Sequence, residues 1–296
     1  MEQLVKENTN EVQVEQKPKK KAWKGILFSV LALFAFWGIQ VLISGAASVI
    51  FMGQCIGEAG GDMTAGQELY MDKIQNSGFM TNILCLTTAI SAIVAILWYK
   101  LAFVRKYTVE KKEELRKNVL HGKVIAMLII VAVGCYSLDV TIANLVAWLS
   151  PAAMDSFDSI MGSALSGSLV ISFLTMVILA PVAEECLLRG IVFQMLSKRF
   201  TAIPAVVLSA LFFSLYHLNI MQALYVLPLG LLLGYTAYKC KSVLPCILIH
   251  MVNNLMPFLI MMLPEGLHGV ATFVTIFIVC AVILFFLWKM QSKEER

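Results

Sequence analysis

Residues 184–189, EECLLR, put two carboxylates and a guanidinium into a stretch otherwise made of Val, Ile, Leu and Ala. Two of the chain's four histidines fall in equally apolar surroundings, His217 in FSLYH and His250 in HMVNN, with Asn254 four residues beyond His250. Ionisable groups at such positions are costly to bury, so each one requires a partner or a task. A carboxylate, two imidazoles and an amide gathered in a low-dielectric cavity are the parts needed to activate water against an amide bond. Glu184 can serve as general base and the histidines can hold the water or a metal ion, while Asn254 can donate to the oxyanion of a tetrahedral intermediate. Glu185 and Arg189 are four residues apart and share a helical face, so they can form a charge-assisted pair. Glu184 is rotated by roughly 100° from Glu185 and is left available.

Each motif also has a plainer explanation. EExxxR can be a structural ion-pair cluster near the cytoplasmic interface, with Arg189 reaching toward headgroups. A lone histidine on an apolar helix is usually a packed, hydrogen-bonded residue. Two of them beside a free carboxylate shift the balance toward chemistry. Other protease signatures are missing or weak. No HExxH occurs, and GSALSGS at 162–168, at an expected outer helix start, suits small-residue packing or a turn better than a serine nucleophile. Asp139, in the middle of an apolar segment, is expected to be a structural hydrogen-bonding residue.

The elements that position these groups follow from composition. The chain has 296 residues, 59% hydrophobic and 14% charged, against roughly 25% charged in soluble domains. Apolar runs near the roughly 20 residues that span a bilayer recur at about 25–52, 79–104, 123–149, 164–188, 202–217, 220–238, 243–262 and 269–290. Continuous apolarity without period-two alternation makes them helices, since lipid offers the backbone no hydrogen-bond partner. The expected fold is therefore an all-α polytopic bundle of about eight spans. Residues 1–22 form a polar tail expected to be disordered, and 23–296 a single transmembrane domain. The 105–118 connection is expected to be a solvated, helical cytoplasmic segment.

Of the 23 Lys and Arg residues, 21 gather in the tail, the 100–123, 190–202 and 239–241 connections and the C-terminus. Lys73 is the exception, in an expected outer loop over 53–78. The positive-inside bias puts both termini in the cytoplasm, and the net charge of +4 fits anionic lipid headgroups and no nucleic acid. Seven cysteines, mostly in or near spans, imply no disulfide framework.

This topology raises a depth problem. With the fourth span ending at 188, Glu184 lies near its cytoplasmic end and His217 near the outer end of the fifth. A tilted or broken fourth span, with Pro181 as the site of the break, would bring the glutamates toward the middle.

The order EECLLR, FSLYH, HMVNN, matching EExxxR, FxxxH and HxxxN on successive apolar segments, resembles the CAAX protease and bacteriocin-processing family, the Abi group of intramembrane endopeptidases. The resemblance covers about 165–262. It implies a conical intramembrane cavity, with Glu184 catalytic and with Glu185, Arg189, His217, His250 and Asn254 completing the site. It implies either a divalent metal, such as zinc held by Glu184, His217 and His250, or a metal-free glutamate mechanism. The expected partners are the lipid bilayer and a membrane-associated peptide or protein substrate, processed in maturation or in bacteriocin self-immunity. The expected location is a prokaryotic plasma membrane, where prenylated substrates are less expected. Two other functions compete: a non-catalytic immunity or regulatory protein, and an ion-coupled transporter using Glu184 and Asp139, although no repeat-related pair of broken helices is present.

Overall fold

The computed structural model describes residues 21–76, 78–107, 113 and 122–294. The polar tail over 1–20 and most of the 105–118 connection lie outside the described residues. The described chain is all-helical, with no strand. Its elements are α1 (Ala22–Glu58), α2 (Met63–Asn76), α3 (Phe79–Ala102), α4 (Gly122–Leu149) and α5 (Pro151–Leu165), then the long α6 (Leu169–Ser197). These are followed by α7 (Ala202–Tyr216), α8 (Ile220–Tyr225), α9 (Leu227–Cys240), α10 (Leu244–Ile260) and α11 (Val270–Glu294).

Among the described residues, five helices are long and apolar enough to cross a membrane: α1, α3, α4, α6 and α11. Helices α7 and α10 are apolar but shorter. Large apolar side chains such as Val41, Leu42, Leu145, Trp148, Phe285 and Phe286 lie exposed on the outside of the bundle. Surfaces of that kind suit lipid and are costly in water. The chain is an integral membrane protein.

Several boundaries differ from those read off the sequence, each for a physical reason. The apolar segment 220–238 is two helices rather than one, because the chain turns at Val226 and restarts with Pro228 in the first turn of α9. That placement suits a residue lacking an N–H. The presumed outer loop over 53–78 is mostly helical: α1 continues to Glu58, a tight turn through Gly60 and Gly61 uses positive φ, and α2 follows. Residues 162–168 are the end of α5 and the turn into α6, not a helix start. Their small side chains let Gly167 approach Thr81, whose hydroxyl accepts from Gly167 N at 3.0 Å and donates to Ala164 O at 3.0 Å.

The difference that matters most is the length of α6. The fourth span does not stop at 188 but runs through Ile191, Val192, Phe193 and Leu196, all buried, to Ser197. The charged residues at 184–189 look like a membrane boundary in the sequence, yet they lie near the midpoint of a 29-residue helix. Helix α7, after a short turn, is only 15 residues long and returns alongside α6. At about 1.5 Å per residue, Glu184 and His217 both lie about 20 Å from the shared turn, and the depth problem disappears.

Nor is α6 broken at Pro181. It contains two widened, π-helical stretches, Leu174–Leu179 and Leu188–Val192, on either side of a regular segment that carries both glutamates. Such widened turns recur at functional sites. The buried core is built around α6: Leu187, Leu188, Ile191 and Leu196 have no exposed surface, and they form one cluster with residues of α1, α3, α4, α7, α9 and α10. Close approach of α3 depends on Gly190, where a Cβ would lie 2.7 Å from the Tyr99 ring.

Candidate active site

Glu185 and Arg189 meet as their spacing suggests. Arg189 Nη1 donates to Glu185 Oε1 at 2.9 Å, and neither side chain exposes any surface. A second donor, Arg189 Nη2, reaches Gly230 O on α9 at 3.0 Å. Only a glycine allows this approach, because a Cβ at 230 would press on Phe213 and Ala210 of α7 at 3.1 and 3.2 Å. The Phe213 ring covers the guanidinium, with a carbon-to-centroid distance of 4.7 Å. The charge is thus paired, hydrogen-bonded and stacked, as a buried arginine requires.

His250, on α10, bonds to the same oxygen: Nδ1 lies 2.9 Å from Glu185 Oε1. An ionised carboxylate only accepts, so Nδ1 carries the proton and the neutral ring's Nε2 presents a lone pair. That lone pair faces Glu184, whose Oε2 is 3.9 Å away. This distance exceeds a hydrogen bond but suits two groups sharing one water. Glu184 Oε2 is buried and, among the described residues, has no hydrogen-bond partner.

His217 follows the last residue of α7 and directs Nδ1 to Phe213 O at 2.9 Å. A carbonyl only accepts, so this imidazole too keeps its proton on Nδ1 and its lone pair on Nε2. The Phe213 ring stands edge-on to both imidazoles, with centroids 5.0 Å from His217 and 5.5 Å from His250. One aromatic ring therefore spaces both histidines and caps Arg189. Leu218, next in the chain, has a φ of 52°, a left-handed conformation that turns the backbone sharply after His217. Ser214 Oγ, which donates to Ala223 O, ties that corner to α8.

Asn254 lies on the same α10 face as His250, and its Nδ2 donates to Met176 O at 2.9 Å, in the first widened stretch of α6. The structure gathers Glu184, Glu185, Arg189 and His250 directly. It places His217 across the Phe213 ring and binds Asn254 to the backbone of α6. Asp139, from α4, is buried and accepts from Asn253 Nδ2 at 3.1 Å, with Cys135 Sγ 3.9 Å from its other oxygen. That is a hydrogen-bonding position, one residue along α10 from Asn254.

Some contributors were not singled out from sequence. Gly230 and Met176 act through backbone carbonyls, which carry no side-chain signal. Gln40, a lone amide in the middle of α1, donates to Tyr216 Oη at 3.3 Å, and Trp37 stacks on the same ring with centroids 6.0 Å apart. An amide in the middle of an apolar span was the available clue.

The histidine tautomers, each anchored through Nδ1 and open at Nε2, are of the type seen in metal ligands. Among the described residues, however, no three His, Cys, Asp or Glu side chains converge closely enough to hold one ion. As arranged, Glu184, His217 and His250 do not form a metal cage, and no step below passes through one.

No curated protein and no solved structure matches the chain. Residues 166–256, which carry all the groups just described on α6, α7, α9 and α10, match a family model described as Rce1-like, Type II CAAX prenyl endopeptidase Rce1-like. This segment therefore belongs to the Rce1-like family of CAAX intramembrane proteases.

Proposed function

We propose that the chain is an intramembrane endopeptidase that hydrolyses a peptide bond of a membrane-associated protein or peptide, using water activated by Glu184 and His250. The observation that carries this is the buried, unpartnered Glu184 Oε2 facing the lone pair of His250 Nε2 at 3.9 Å. A water between them donates one hydrogen to each acceptor, which aims its own lone pair outward at a carbonyl carbon. Glu184 takes a proton as the water oxygen adds to that carbon. It then delivers the proton to the amide nitrogen as the C–N bond breaks, leaving a carboxylate and an amine. Arg189 and Glu185 orient His250 and compensate the charge, and His217 supplies a second acceptor across the Phe213 ring.

The family description supports protease activity, while the substrate, the bond cleaved and any role in maturation or self-immunity belong to this proposal. The test uses the full chain in liposomes with a library of membrane-anchored peptides. Wild type is expected to cleave, and Glu184→Gln and His250→Gln to lose roughly 10²–10⁴-fold in rate, the range for a lost general base. Cleavage unchanged by either substitution would place the chemistry elsewhere. Biological activity that survives Glu184→Gln would instead identify a non-catalytic immunity or regulatory protein.

A further inference from the structure

We propose that Asn254 is a positioning residue, supplying Met176 with the hydrogen-bond donor that Pro181 withholds and so fixing the widened register of α6 ahead of the glutamates. The argument is a count of backbone donors. In a regular helix Met176 O would accept from the N–H four residues on, that of Ala180. The Ala180 N–H instead reaches back five residues, to Thr175 O. In that widened register Met176 O would accept from residue 181, which is proline and has no N–H. Met176 O therefore has no backbone donor in either direction, and Asn254 Nδ2 meets it at 2.9 Å.

The alternative register does not remove the orphan carbonyl. If the stretch 174–179 closed to an α-helix, Ala180 would satisfy Met176, but Pro181 would then leave Val177 O unpaired and press its ring on it. The choice of register is a choice of which carbonyl is stranded. Asn254 serves Met176, and so selects the wider turn. Changing register shifts the residues before Pro181 by one position around the helix relative to Glu184 and Glu185. Helix α10 thereby holds α6 at two points, through Asn254 to Met176 and through His250 to Glu185, with Glu184 between them.

The proposal rests on the endopeptidase reading only for its kinetic readout. The test is a double-mutant cycle on the full chain in detergent or liposomes: wild type, Pro181→Ala, Asn254→Ala and the pair. Pro181→Ala returns an N–H to position 181, so the proline substitution should suppress the asparagine one. Asn254→Ala is expected to lower the unfolding midpoint by several degrees, as expected for one stranded buried group, and kcat by at least roughly tenfold with little change in KM. The double variant should regain most of both.

Additive losses would overturn the proposal. So would an Asn254→Ala that loses kcat with an unchanged midpoint and no rescue, the signature of a donor acting only on the substrate's oxyanion. Should Asn254→Ala not accumulate, Asn254→Leu, similar in shape but without a donor, takes its place in the cycle. If wild type cleaves nothing, the midpoints alone decide whether the pairing exists, separately from the catalytic reading.

Discussion

Replacing Glu185 with alanine strands the Arg189 guanidinium in the centre of the bundle. The wild-type pair has a 2.9 Å bond and no exposed surface on either side chain, so solvent screening offers no relief. Arg189 would keep its bond to Gly230 O and the Phe213 face but lose its counter-charge, which costs about 3–5 kcal/mol for a buried pair. That is a large share of a total stability of roughly 5–15 kcal/mol. Replacing both partners, Glu185→Leu with Arg189→Met, removes the stranded charge, and exchanges of this kind are near neutral. The double variant should therefore be more stable than Glu185→Ala by at least about 2 kcal/mol. It should still be inactive, because His250 Nδ1 loses the oxygen 2.9 Å away that sets its tautomer. Reversible denaturant unfolding in detergent, paired with the peptide-cleavage assay, measures both quantities. If Glu185→Ala unfolds within about 1 kcal/mol of wild type, the buried ion pair is not what holds this site. An active double variant would remove Glu185 from the orientation of His250.

Three further outcomes follow from the geometry. Glu184→Gln should keep wild-type stability to within about 1 kcal/mol while abolishing cleavage, because Glu184 Oε2 has no hydrogen bond to lose among the described residues; a thermal scan beside the activity assay reads both. Asp139→Ala should destabilise by about 1–3 kcal/mol by leaving the Asn253 amide unpaired, and adding Asn253→Ala should return much of that in the same unfolding experiment. Gly190→Ala, whose Cβ would sit 2.7 Å from the Tyr99 ring, should cost about 1–3 kcal/mol through overpacking, and Tyr99→Ala in the same chain should relieve part of the loss.

What was legible in the sequence was what short-range geometry and apolarity control. The i, i+4 spacing of Glu185 and Arg189 and that of Phe213 and His217 foretold contacts that form, and every long apolar run contains a helix. The end of α6 was misjudged because charges in a sequence mark a water boundary unless their partners are known. Arg189 is compensated by Glu185, Gly230 and Phe213, two of them on other helices, so the helix continues through it. Helices α2 and α5 were missed because the first is largely polar and the second is broken up by Ser, Asp and Gly, so neither shows the apolarity of a span. The link from Asn254 to Met176 requires knowing that a neighbouring helix is widened, and no local pattern carries that.

The Glu185–Arg189 pair lies within a single helix, and this bears on how the protein is made. A segment entering the bilayer with either ion alone would meet a penalty of about 2.5–3.5 kcal/mol at its centre. Here the two opposite charges arrive on one turn and can neutralise each other before any other helix is present. Gly230 and His250 emerge from the ribosome dozens of residues later. The partition of this segment into lipid therefore need not wait for the helices that will surround it, and the polar cluster that later faces substrate enters the bilayer already internally balanced.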